Sequence, residues 1–135
     1  MKVREIMSSN VATCAPSAKL SEVAKLMKKH DCGAVPVVSN GKLEGIITDR
    51  DIVVRGLAEG KNIADMDAAS LMSKSVHSVD QDASVDECMK LMESKQIRRI
   101  VVCDGNKIAG IVAQADVALN APEKETGDVV KKVSK

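Results

Sequence analysis

The sequence predicts a mixed α+β fold (α/β by some schemes), built as two β-α-β-β-α repeats packed sheet to sheet about a pseudo-two-fold axis. Three observations predict it. Residues 7–51 recur as residues 72–116 at a constant offset of 65 without a gap, and 13 of the 45 paired positions are identical; unrelated chains of average composition share roughly three. Each copy carries one stretch with apolar residues at helical spacing, followed by two short apolar runs joined by a tight turn. The chain is 44% hydrophobic, enough for a core, yet one copy alone is too short to bury a one-faced sheet. The repeats are therefore expected at 1–60 and 61–121, with a tail at 122–135.

The first element of each copy is a short extended piece, Val11-Ala12-Thr13 and Val76-His77-Ser78. A helix over about 19–30 follows, with Leu20, Val23, Ala24 and Met27 on one face; Ser17 or Ser21 is the expected cap. The second copy carries Val85, Cys88, Met89 and Met92 on the same face. The apolar run at Val35-Pro36-Val37-Val38, the tetrad Ser39-Asn40-Gly41-Lys42 and the run from Leu43 to Ile47 form a hairpin signal with Asn-Gly at its tip. The second copy reads Ile100 to Cys103, Asp104-Gly105-Asn106-Lys107, then Ile108 to Val112. A second helix opens at Asp49 and at Gln114. Residues 56–70 are the expected linker, loosest at Gly56 and Gly60. The tail contains Val129, Val130 and Val133 and is expected as a short helix or a frayed end.

Composition narrows the function. The chain has no aromatic residue and a net charge of +1, so it lacks both the stacking platforms and the basic field of a nucleic-acid binder. No run of 18 apolar residues is present, so no membrane span is expected. The N-terminus lacks the apolar run of a signal peptide. The four cysteines, Cys14, Cys32, Cys88 and Cys103, form no C-x-x-C pair and read as reduced thiols of a cytoplasmic protein. No metal site is expected, because clustered zinc ligands are missing. No catalytic constellation and no Walker-type phosphate loop is visible.

One string recurs at the same place in both copies: Gly45-Ile46-Ile47-Thr48-Asp49-Arg50-Asp51 and Gly110-Ile111-Val112-Ala113-Gln114-Ala115-Asp116. With Gly33-Ala34-Val35-Pro36-Val37-Val38 and Gln96-Ile97-Arg98-Arg99-Ile100-Val101-Val102 around it, the sequence resembles a tandem pair of CBS domains, the Bateman module, in a small stand-alone form. The resemblance runs from Val3 to about Leu119. It implies a regulatory module binding an adenosine compound (AMP, ADP or ATP; NAD and S-adenosylmethionine as further members of the class) in clefts between the repeats, with no cofactor required and no enzyme activity. It also implies a homodimer formed through helical faces, for which Met27, Met92, Ile52 and Val53 are candidates, and a separate effector protein.

Pseudo-symmetry groups the expected ligand contacts into two clefts. The main one joins Thr48, Asp49, Arg50 and Asp51 to Val76, His77, Ser78, Arg98, Arg99 and Val101. The Asp51 carboxylate accepts ribose hydroxyls, the helix start offers free N–H groups to phosphate, and the two arginines clamp it. The weaker cleft joins Val11, Ala12, Thr13, Gly33, Ala34 and Pro36 to Ala113 and Asp116, and lacks the hydroxyl and both cations. Two alternatives accompany this reading: a ligand-silent dimerising scaffold, and a thiol redox or metal sensor built on Cys14 and Cys32.

Overall fold

The structure, a computed structural model, describes residues 1–120; the expected tail element lies outside them. The fold is mixed α+β, as predicted, and the described residues form two compact units. One comprises Val11–Val76; the other comprises Met1–Asn10 together with the chain from His77.

In the Val11–Val76 unit, helix α1 (Leu20–His30) precedes the antiparallel hairpin β1 (Ala34–Ser39) and β2 (Lys42–Thr48). The helix is not capped by Ser17 or Ser21. Lys19 is the N-cap and gives no side-chain bond; the Leu20 N–H instead donates to the Met66 carbonyl at 2.8 Å. Leu20, Val23 and Met27 are buried, whereas Ala24 is exposed and Leu26 takes its place against the core. Asn40 and Gly41 both have positive φ (54° and 79°), as a type I′ turn requires. Past β2 the chain is helical from Asp49 and adopts π geometry over Asp51–Gly56, then 3-10 turns at Leu57–Glu59 and Ile63–Asp65 and a short helix α2 (Ala68–Leu71). The expected loose linker is thus partly structural. Ala68 and Leu71 are core residues, and Gly56 is buried, with Ile63 2.6 Å and Leu71 3.0 Å from where a Cβ would stand.

In the second unit, β3 (Ser78–Asp80) runs parallel to β4 (Arg99–Asp104), which pairs antiparallel with β5 (Lys107–Ala113). Helix α3 (Val85–Lys95) lies between β3 and β4 and is capped by Ser84, whose side chain accepts from the Glu87 N–H. Helix α4 (Gln114–Asn120) follows β5. A bulge interrupts the hairpin at Glu44 in one unit and at Ala109 in the other, again 65 residues apart.

The compact units do not coincide with sequential halves, because the first residues of each repeat pack on the other repeat's strands. Val3 and Ile6 belong to the core of Val85, Met92 and Ile100, and Ser8 bridges Ile111. Ala68 and Leu71 belong to the core of Leu20, Val35 and Ile47, and Ser73 bridges Ile46. Met27 and Met92 are likewise core residues (9% and 0% exposed), so they are unavailable as a dimer surface. Ile52 is half-buried and Val53 is 53% exposed.

The leading strand differs between units for a covalent reason. In the second unit the Val101 N–H donates to the His77 carbonyl and the Gln81 N–H to the Cys103 carbonyl, on either side of the Val79–Val102 pair. The corresponding donors in the first repeat are Pro36 and Pro16, which have no N–H. Val11-Ala12-Thr13 accordingly form no strand, and only Cys14 bridges Val37.

Candidate ligand-binding site

The recurring string closes on itself at the end of β2. The Thr48 N–H donates to Asp51 Oδ2 at 3.0 Å, and the Asp51 N–H donates to Thr48 Oγ1 at 3.1 Å. This is a capping box with Asp in the place of Glu. The Asp51 side chain is 19% exposed, and of its two oxygens Oδ2 takes the Thr48 bond. Asp49 Oδ1 accepts from the Arg50 N–H at 2.8 Å, and the Asp49 N–H donates to the Gly33 carbonyl at 3.0 Å. At the other end of the string, Met72 and Ser73 lie directly over Gly45, where a Cβ would stand 2.8 Å from Met72 Sδ and 2.7 Å from the Ser73 oxygen. The glycine, the threonine and the aspartate thus each have a folding role.

The second copy keeps half of the box. The Ala113 N–H donates to Asp116 Oδ2 at 2.7 Å, but Ala113 has no hydroxyl to return the bond. Gln114 stands where the first copy has Asp49; its N–H donates to the Arg98 carbonyl at 2.8 Å, and its buried Nε2 has no partner among the described residues.

Hydrogen bonds and strand register settle the immediate neighbours of each candidate residue. Ala34 is paired with Thr48, and Arg99 with Ala113. His77 bonds Val101, which is paired with Ser78. Gly33 and Ala34 therefore stand beside Thr48 and Asp51, whereas Arg98 and Arg99 stand beside Ala113 and Asp116. The sequence grouping concerns residues expected to face each other across clefts between the repeats, a different relation from register within one hairpin. The hairpin closes at Asn40-Gly41 and brings the start of β1 back to the end of β2, so counting outward from that turn finds each register partner. Pro36 and Val101 are buried. Val11, Ala12 and Val76 are half-buried, and Thr13 is exposed.

Arg98 and Arg99 are exposed and make no ion pair with any described residue. Arg55, which the sequence reading passed over, does approach the site. Its Nη1 lies 3.8 Å from Asp51 Oδ1 and donates to the Leu71 carbonyl at 2.9 Å. The i,i+4 spacing from Asp51 was the available signal.

Cys14 and Cys32 belong to one apolar cluster as free thiols, and burial pushes the Cys14 thiol above its ordinary value. Among the described residues no group of three or more His, Cys, Asp or Glu is arranged to hold a metal ion, and no helix is long and apolar enough to cross a membrane.

The CBS domain model matches residues 3–57 and again residues 68–122. The chain belongs to the CBS domain family. The CBS domain-containing protein YhcV of Bacillus subtilis is 39% identical over 92% of this chain and 88% of its own length. Hypoxic response protein 1 of Mycobacterium tuberculosis is 37% identical over 96% of this chain and 92% of its own. A solved structure of Hypoxic Response Protein I with two coordinated zinc ions superposes with a TM-score of 0.82 at 36% identity, covering 90% of this chain and all of that one. The CBS domain pair of protein MJ0100, solved with 5′-methylthioadenosine and S-adenosyl-L-methionine, gives a TM-score of 0.78 at 30% identity over 88% of this chain and 94% of that chain.

Proposed function

We propose that this CBS pair is a regulatory module that binds adenosine-containing ligands and acts on a separate partner protein. The observation that carries the reading is the aspartate-ended turn, made twice. In each, one carboxylate oxygen is held by a backbone N–H, and the other is left to accept the adjacent hydroxyls of a ribose. The MJ0100 pair, solved with two adenosine compounds, supports this ligand class.

The two turns suit different ligands. In the first repeat, Thr48 Oγ1 accepts from Asp51 and keeps its own O–H to donate, and Gly33 and Ala34 leave room beside it. In the second, Arg98 and Arg99, with Ser78 on the neighbouring strand and His77 just before it, offer cations and donors to a phosphate. A phosphorylated nucleotide of the AMP, ADP or ATP class therefore belongs beside Asp116. A ligand with an uncharged or cationic 5′ end, such as adenosine or S-adenosylmethionine, belongs beside Asp51. The module's role is regulatory, with no catalytic step assigned to it. Its four free thiols fit a reducing compartment such as the cytoplasm.

Calorimetry and thermal shift with AMP, ADP, ATP, adenosine, NAD and S-adenosylmethionine test the reading. Asp51→Asn and Asp116→Asn should each remove one site. Arg98→Met with Arg99→Met should weaken AMP while sparing adenosine. Silence with every compound, or binding unchanged in both aspartate variants, would overturn it.

A dimerising scaffold is the second reading, favoured by the exposed apolar side chains of Val53, Val54 and Leu57 (53%, 43% and 60%). Sedimentation should then show a ligand-independent dimer that Leu57→Lys dissociates.

A further inference from the structure

We infer that Arg55 is the positioning residue of the first repeat's ribose anchor, an inference that rests on the ligand class proposed above. The two oxygens of Asp51 have different fates. Oδ2 is committed to the Thr48 N–H at 3.0 Å, and Oδ1 faces Arg55 Nη1 at 3.8 Å. That guanidinium is itself anchored, because the same Nη1 donates to the Leu71 carbonyl at 2.9 Å. Leu71 is 1% exposed and is the last residue of α2, so its carbonyl is one of those a helix end leaves without an intrahelical partner. The arginine thus ties a fixed point of the core to the second oxygen of the carboxylate. It sets the plane of that carboxylate from one side while the capping bond sets it from the other.

At 3.8 Å the cation attracts Oδ1 without filling its lone pairs, so the oxygen stays open to a hydroxyl donor. A carboxylate held in advance loses less rotamer entropy when a ligand arrives. The second repeat has no such tie. Asn120 stands at the matching position, and its Nδ2 donates to the Asp116 backbone carbonyl at 2.7 Å, not to the carboxylate. Arg55 therefore distinguishes the two anchors as Thr48 and Ala113 do, and makes the Asp51 anchor the more selective for a ligand with both ribose hydroxyls.

The test pairs Arg55→Met and Arg55→Lys with three ligands: adenosine, AMP and 2′,3′-dideoxyadenosine. Calorimetry is run on the full chain in an Asp116→Asn background, so that the first repeat alone is read, and thermal unfolding without ligand is the control. Arg55→Met should weaken adenosine by about tenfold, lower by the same factor the weaker AMP binding that this repeat retains, and leave dideoxyadenosine unchanged. Arg55→Lys, which keeps the charge, should recover part of the loss. A loss that follows the phosphate, affecting AMP but not adenosine, would make Arg55 a direct phosphate contact and overturn its positioning role. An equal loss for all three ligands would reduce it to a structural residue. Failure of adenosine and AMP to bind the unmutated arginine protein would sink the functional reading itself, and this inference with it.

Discussion

Gly45→Ala should be among the most damaging single-methyl additions in the chain. An ideal Cβ on Gly45 lies 2.7 Å from the Ser73 carbonyl oxygen and 2.8 Å from Met72 Sδ. The thioether is the end of a flexible side chain and can swing aside. The carbonyl cannot, because Ser73 and Ile46 exchange two backbone hydrogen bonds of 2.8 and 3.0 Å. Relieving the clash means pulling that segment away and weakening both bonds. Overpacking costs about 1–3 kcal/mol, and each weakened bond adds up to about 1 kcal/mol. The lower unfolded-state entropy of alanine returns less than about 1 kcal/mol. The net loss is about 2–3 kcal/mol, a large share of a typical domain's stability. Because the chain has no Trp, Tyr or Phe, the assay is urea unfolding followed by far-ultraviolet circular dichroism. Gly110→Ala should behave alike, since its Cβ meets the Ser8 oxygen at 2.6 Å and Met7 Sδ at 2.7 Å. Adding Met72→Ala to Gly45→Ala should not rescue it. A loss below about 0.5 kcal/mol for both glycines, or full rescue by the methionine change, would refute the claim that a backbone carbonyl sets the limit.

Three further outcomes are expected. Thr48→Ala should cost about 1 kcal/mol by removing the acceptor of the Asp51 N–H, and Ala113→Thr should return a similar amount by completing the half-made box in the second repeat; chemical denaturation reads both. Helices α1 and α3 end on left-handed residues that are not glycine, Asp31 (φ 50°) and Gln96 (φ 52°), so Asp31→Gly and Gln96→Gly should each stabilise by about 0.5–1 kcal/mol, seen as a rise in Tm. Burial raises the Cys88 thiol from its ordinary 9.0 to about 11. Between those values the folded state holds a proton that the unfolded state has lost, so stability is complete below about pH 9 and falls by about 2–3 kcal/mol as pH rises to 11. Cys88→Ala should flatten that part of the denaturation profile, and an unchanged slope would reject the assignment.

The duplication made most of the fold legible. Residues with matching environments keep matching chemistry, and both helices, both hairpins and the recurring string follow from a single offset. The exchanged packing of residues 1–10 was not legible in the same way. It depends on Val3 and Ile6 packing at positions that Ala68 and Leu71 occupy in the other unit, and two apolar residues three apart are too few to carry a periodic signal. The lost strand at Val11–Thr13 was legible in principle, since Pro16 and Pro36 remove the donors on either side of Cys14. At the candidate site, Thr48 and Asp51 stand out by chemistry and spacing, and their partners within the hairpin follow from counting outward from the turn; the Arg55 approach needed the i,i+4 spacing to be noticed.

The Thr48–Asp51 turn shows why folding and binding are hard to separate in this protein. The bond that holds Asp51 Oδ2 to the backbone is also what leaves Oδ1 as the oxygen a ligand can meet. A variant that deletes the carboxylate therefore removes a helix cap and the proposed ligand anchor together, and its failure to bind says little by itself. Asp51→Asn is the sharper probe, because the amide oxygen still accepts from Thr48 while the charge that attracts Arg55, and that the proposed ribose contact needs, is gone. The second repeat supplies the internal comparison. It has kept the aspartate and its backbone bond while losing the hydroxyl and the arginine tie. The aspartate turn that the two repeats share serves folding as well as the proposed binding, and ligand preference is to be sought in what they do not share: Thr48 and Arg55 on one side, Arg98 and Arg99 on the other.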